Sequence, residues 1–163
     1  MASLSDPLVK KLLDGRYIAA LATQNSTGSI HMVAVWFLFD GSFIYVGTSG
    51  STRKARNAQA NANVSVMIDS RDVAASCGVT VIGTAETVSG DAAKPWVERI
   101  HQKYLSEAAR ADPKVGPVFA AVDDVVLKIA PKSVFSWDME QIDQLYFSGA
   151  IAKTPSYLLP VER

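Results

Sequence analysis

At 163 residues, 48% of them apolar, the chain has the length of one ordinary domain and enough hydrophobic material to bury a core without disulfides. Its 16 cations balance 16 anions, so no bulk charge draws it to nucleic acid; one cysteine, Cys77, cannot close an internal disulfide, and with only two histidines the donors of a conventional zinc site are lacking. No apolar run approaches the roughly 18 residues of a membrane span and no charged-then-apolar leader opens the chain, so the expectation is a single cytoplasmic domain over 1–163.

In chain order, SDPLVKKLLDG reads first as a short amphipathic helix. Asp6 caps it, Pro7 takes its first position, Leu8, Leu12 and Leu13 share a face, and Gly15 is placed to end it in left-handed backbone. RYIAALATQ follows as an apolar strand, and NSTGS as a hairpin turn. IHMVAVWFLFDGSFIYVGT then gives two β-rich runs joined by Asp40-Gly41, a dipeptide that accepts the positive φ of a tight hairpin. In the first run His31, Val33, Val35, Phe37 and Phe39 face one way and Met32, Ala34, Trp36 and Leu38 the other, because strand side chains alternate. Both faces are apolar, so both are expected to be covered: one by a barrel interior, the other by a helix, a ligand or a second subunit.

TRKARNAQA reads as a short helix, NVSVMID as a strand, and CGVTVIGTAETVSG as a further strand bent at Gly83. From about 91 to 109 a longer helix is expected, with Pro95 in its first turn and Trp96, Ile100 and Tyr104 as its packing stripe. DDVVLKIAPKSVFSWD supplies a last strand or two, broken at Pro131, and residues 139–163 read as an irregular tail beyond a core of about 8–138. The order suits a mainly β, small antiparallel barrel with helices outside it.

The loop after the second hairpin run carries the chemistry. Gly47-Thr48 ends the strand, Ser49, Gly50 and Ser51 form the loop, and Thr52 opens the helix, so hydroxyls and free backbone N–H groups meet at one point suited to an anion. Arg53 and Lys54 in the first turn oppose the helix dipole, a conflict that a bound phosphate resolves. The competing reading makes Thr52 a plain N-cap and the cations a solvated face. A P-loop is excluded by the missing Gly-Lys-Ser/Thr ending. His31 reads either as an acid–base group or as a satisfied histidine at the barrel end, and Cys77, without a CxxC partner, as a small buried side chain.

HMVAVWFLFDGSFIYVGTSGSTRKARNAQANANVSVMID, then VTVIGTAETV, then KSVFSWD, together resemble the flavin-binding split barrels related to pyridoxamine 5'-phosphate oxidase, over roughly residues 8–138. The resemblance implies a mainly β (β+α) fold, a six-stranded antiparallel split β-barrel with peripheral helices, that binds FMN at a homodimer interface. It implies the cofactor phosphate on Thr48, Thr52, Arg53 and Lys54, with Ser49 and Ser51 of the loop beside it. The isoalloxazine ring would run along His31, Met32, Val33, Ala34 and Val35, and Trp137 would reach the partner's cofactor. Trp36 stands where the true oxidases have a lysine, and their C-terminal Arg-Leu-His-Asp-Arg-like motif does not occur, so pyridoxamine phosphate is not the implied substrate.

Thr-Arg-Lys-Ala-Arg-Asn looks instead like the subgroup that binds FMN or the deazaflavin F420. The implied function is an FMN oxidoreductase passing hydride to or from a small substrate, with no catalytic residue assigned. An F420-dependent oxidoreductase of the same fold is the alternative, and a non-catalytic flavin or haem carrier the alternative of another class. Nucleic acid, membrane and metal are not expected partners, and the loop at Arg71 and Asp72 is expected on the rim of the partner's pocket.

Overall fold

The computed structural model describes residues 2–70 and 76–159, so the expectation for Arg71 and Asp72 lies outside the described residues. The first helix, α1 (Pro7–Asp14), forms as anticipated: Asp6 accepts hydrogen bonds from the N–H groups of Leu8 and Val9, and Val9, Leu12 and Leu13 are buried. Gly15 does not end it in left-handed backbone, since it is extended at φ −68° and ψ 162°. A side chain there would run into the ring of Tyr17, so close approach, not backbone freedom, explains the glycine.

Two hairpins follow. β1 (Ala19–Gln24) and β2 (Ile30–Val35) pair antiparallel around a turn with Gly28 at φ 86°. β3 (Leu38–Phe39) and β4 (Ile44–Thr48) pair around Asp40-Gly41, where Gly41 takes φ 99° and the Asp40 carboxylate accepts from Ser42 N at 2.9 Å and Phe43 N at 2.8 Å. Continuous in sequence, β2 and β3 have different partners, and the change falls at Trp36-Phe37. This is why seven strands are counted where six were expected.

The chain continues as α2 (Arg53–Ala60), β5 (Asn63–Ser70), β6 (Cys77–Ser89), α3 (Lys94–Tyr104), α4 (Glu107–Ala111), α5 (Gly116–Val122), β7 (Val125–Asp138), α6 (Met139–Phe147) and α7 (Ala150–Lys153). The strands form one antiparallel sheet in the order β2-β1-β5-β6-β7-β4-β3. Its two edges, β2 and β3, are halves of a single run, so chain rather than a hydrogen-bond ladder joins them, and the barrel is split and not closed. The bend foreseen at Gly83 is a register shift opposite Pro131: a side chain at Gly83 would meet the carbonyl oxygen of Ala130.

The inner face of this curled sheet holds the core, with Leu21, Val66, Val81, Ile44 and Leu127 fully buried against Leu12 and Leu13 of α1. A second cluster covers the outer side of β4 and β7, where α3 brings Val97 and Ile100 onto Tyr45 and Val126, and Trp96 stacks on Tyr45 at 3.8 Å. The remaining outer face is bare. Register aligns Met32, Ala22, Ser65 and Ile82 in one row across β2, β1, β5 and β6, and Ala34, Ala20, Met67, Thr80 and Phe135 in the next.

Residues 139–159 are not an irregular tail, because α6 and α7 occupy much of the segment. Asp138 caps α6, and the buried Asp143 carboxylate accepts from Ile151 N at 3.0 Å and Ala152 N at 2.9 Å at the start of α7. Leu145, Tyr146 and Phe147 remain exposed, so the apolar periodicity that marks a packed helix is missing although the caps are present. Among the described residues no helix is long and apolar enough to cross a membrane.

Candidate functional site

The start of α2 assembles as its hydroxyls require. Thr52 Oγ1 accepts from Ala55 N as the helix cap and donates to Ser49 O at 2.8 Å. Its single proton is thereby used, so in the 3.0 Å pair between Thr48 and Thr52 the donor is Thr48. The hydroxyls of Ser49 and Ser51 are hydrogen-bonded to each other at 2.9 Å. The N–H groups of Arg53 and Lys54, first in the helix, have no acceptor within it, and the Arg53 side chain is exposed beside them.

Lys54 turns inward. Burial lowers the pKa of its ammonium, and the nearby Asp123 carboxylate acts in the opposite direction. Both line a cleft of about 310 Å³ beneath α5, whose apolar walls include Ala34, Val35, Trp36, Ile100 and Phe119. Asp123 is fixed from behind by the buried His101, with Nε2 3.0 Å from its carboxylate. The next residue, Asp124, reaches back to the loop and accepts from Gly50 N at 2.7 Å. Gly47 leaves the space that Asp123 uses, since a Cβ there would stand 3.2 Å from its oxygen.

A polar ladder fixes the direction of α2. The buried Asn57 donates from its amide to Thr23 Oγ1 at 3.1 Å and to Asn25 Oδ1 at 3.0 Å, and Thr23 in turn donates to His31 O at 3.4 Å. The helix that carries Arg53 and Lys54 is thus tied to the hairpin that carries 31–35.

The structure brings some of the expected residues together and leaves others apart. Thr48, Ser49, Ser51, Thr52, Arg53 and Lys54 form one loop and helix start, and Lys54 meets Ala34 and Val35 in the cleft. His31 and Val33 point toward the barrel and do not line that cleft, and Met32 points out of the sheet, 66% exposed. Trp137 lies at the far end of β7 from the loop, opposite Gly78, while Thr48 pairs with Val125 at the near end. One chain alone does not bring it to Lys54.

Sequence reasoning missed His101, Phe119, Asp123 and Asp124. His101 sits on a helix read only as packing, and the acidic pair looks like an ordinary solvated strand start. Their convergence depends on the return of β7 beside β4, which no local pattern shows.

Chemically, the site offers the hydroxyls and helix N–H groups of the loop, the exposed Arg53, and Lys54, which links them to the apolar cleft. This donor set fits a flat ring that carries a phosphate. The Asp124 carboxylate at Gly50 N shows that the loop already accepts an anionic oxygen, although it competes for that donor.

Comparison with known proteins bears on the fold. A family model described as pyridoxamine 5'-phosphate oxidase matches residues 5–138. Among curated proteins none matches. Solved structures do: the conserved hypothetical protein Rv2991 from Mycobacterium tuberculosis superposes with a TM-score of 0.70 at 22% identity, over 86% of this chain and 88% of that one. An F420 reductase superposes with a TM-score of 0.62 at 21% identity, covering 77% and 94%. An FAD-binding protein from Mesorhizobium loti does so with a TM-score of 0.60 at 20% identity, covering 85% and 95%.

Proposed function

The chain belongs to the pyridoxamine 5'-phosphate oxidase family, and on that premise we propose that it holds a flavin-type cofactor, FMN in the first instance, as an oxidoreductase that acts as a homodimer. The observation that carries the reading is Lys54, which belongs to the hydroxyl-rich loop and helix start and also lines the apolar cleft. A ring-plus-phosphate ligand needs both halves, and the chain puts them on one side chain's reach. Similar folds in an F420 reductase and an FAD-binding protein support the cofactor class.

When bound, such a ring supplies hydride transfer. The chain's own residues would do the rest: Thr48, Arg53 and Lys54 hold the phosphate, and the strand at Ala34 and Val35 excludes water from one side of the ring. Trp137 would serve the site of the second copy.

The test is reconstitution of the purified chain with FMN and, separately, with F420, read by absorption and by titration, then by reduction with NADH, NADPH or reduced F420. A pair of visible flavin bands with stoichiometric FMN is the expected result. A single deazaflavin band would move the assignment to F420, for which the exposed Arg53 and Arg56 offer additional charge to a polyanionic tail. Stoichiometric binding without reduction by any donor would make the chain a carrier. Binding of neither cofactor would overturn the reading.

A further inference from the structure

Trp36, on the wall of the cleft, takes part in two ring stacks. It lies parallel to Tyr104, with centroids 5.0 Å apart and an interplanar angle of 1°, and close to parallel with Phe119, at 5.5 Å and 20°. The two neighbours are held very differently. Tyr104 is fixed at both sides of its hydroxyl, donating to Tyr17 O at 2.5 Å and accepting from Phe37 N at 3.4 Å.

Phe119 has no such anchorage. It belongs to the short helix α5, whose Val118 and Val122 stand 57% and 55% exposed, and its ring contacts in the stack are with Trp36 and, edge-on at 5.7 Å, with His101. The helix is joined to the body at its C-terminal end through Asp123, held by His101. Trp36 therefore has one ring neighbour that is pinned and one that rides on a small element. Lys54 and Asp123, of opposite charge, are the ionisable groups lining this cleft, so the seat favours no net charge on what enters it.

We propose that Phe119 is a built-in plug for a second ligand seat, and that a planar, uncharged, conjugated molecule displaces it to stack on Trp36 in its place. A flat π-system recovers the contact that Phe119 gives up, whereas a saturated molecule of equal bulk does not. That this molecule is the redox substrate rests on the oxidoreductase reading above; the seat itself does not.

The probes are naphthalene-2-methanol and its decahydro counterpart, equal in skeleton and charge, titrated calorimetrically into the protein with and without bound FMN. Phe119→Ala removes the competing ring, and the planar probe is expected to bind several-fold tighter, up to about tenfold, with the saturated probe unmoved. Phe119→Leu, which keeps bulk near the position, is expected to shift the planar probe in the same direction. Trp36→Leu weakens the planar probe by about tenfold, and Trp36→Phe restores most of it.

FMN affinity, titrated for the Phe119 variants, is expected to change by no more than about twofold. Equal responses of the two probes, or no response of the planar probe to either position, would overturn the proposal. So would a tenfold loss of FMN affinity in Trp36→Leu, since the face would then belong to the cofactor ring. A chain that binds neither FMN nor F420 yet shows the expected probe pattern keeps the seat and loses the oxidoreductase reading.

Discussion

At the residue scale the anion loop is a balance of opposite charges. Lys54 lies near the Asp123 carboxylate, and the Asp124 carboxylate sits on Gly50 N, two anions against the two cations Arg53 and Lys54. Replacing both cations, Arg53→Ala with Lys54→Ala, removes two charge-assisted bonds and is expected to weaken FMN binding by about 2 to 5 kcal/mol in titration. Asp124→Asn acts the other way: the amide oxygen can still accept from Gly50 N, but the negative charge is gone, so FMN and inorganic phosphate should bind several-fold tighter at low salt, with the gain shrinking as salt rises.

Lys103 offers a separate residue-scale prediction. Its ammonium lies 4.0 Å from the centroid of Phe37, and burial pushes its pKa down to about 8, against attraction from Asp14. A lysine released on unfolding titrates near 10.4, so above pH 8 the unfolded chain binds more protons and stability rises with pH. The window closes from about pH 9 upward, because Cys77 is raised from 9.0 and Tyr45 and Tyr104 from 10.0, acids whose folded forms keep their protons. Thermal midpoints should therefore climb between pH 8 and 9, and Lys103→Met should flatten that slope.

At the scale of elements, the site depends on α2 keeping its direction. Asn57→Leu would break both amide bonds and leave the hydroxyl of Thr23 and the carbonyl of Asn25 to find new partners, at a cost of about 2 to 4 kcal/mol in denaturant unfolding, with FMN affinity falling as well. That ladder also shows what the sequence does and does not disclose. The hairpins, α1 and α2 are readable because each has a local signal: Asp40-Gly41, Asp6-Pro7, and Thr52 before Arg53. The turn from Thr48 into α2 is readable for the same reason. Asn57 reads as an ordinary helix residue until β1 is seen beside it.

The same distinction explains the two places where local reading departs from the fold. Trp36-Phe37 sits inside an unbroken alternating run, so nothing local shows that β2 pairs with β1 and β3 with β4. In α6 and α7 the caps are polar and the apolar side chains exposed, so the helices lack the stripe that periodicity detects. Phe119 and Asp123 belong to the same class, being placed in the cleft through contacts with Trp36 and His101, well separated in sequence.

At the scale of the whole molecule, the outer face of β2, β1, β5 and β6 sets the remaining question. Met32, Met67, Ile82 and Phe135 are exposed in adjoining rows, interleaved with small Ala20, Ala22 and Ala34, a flat apolar surface of the kind that a second copy covers. Trp137 continues that surface along β7, away from its own chain's loop. In the proposed homodimer the face is buried and the partner's Trp137 can reach the cleft, so assembly and cofactor retention are one property. Met32→Asp with Met67→Asp places charge in both rows and should yield a monomer by light scattering, with its core intact by circular dichroism. FMN affinity of that monomer should fall by at least about tenfold, and Trp137→Ala should lower affinity while leaving the dimer in place. A variant that becomes monomeric and still binds FMN as tightly as the unaltered chain would show that the cleft of one chain suffices, and that Trp137 belongs to the interface alone.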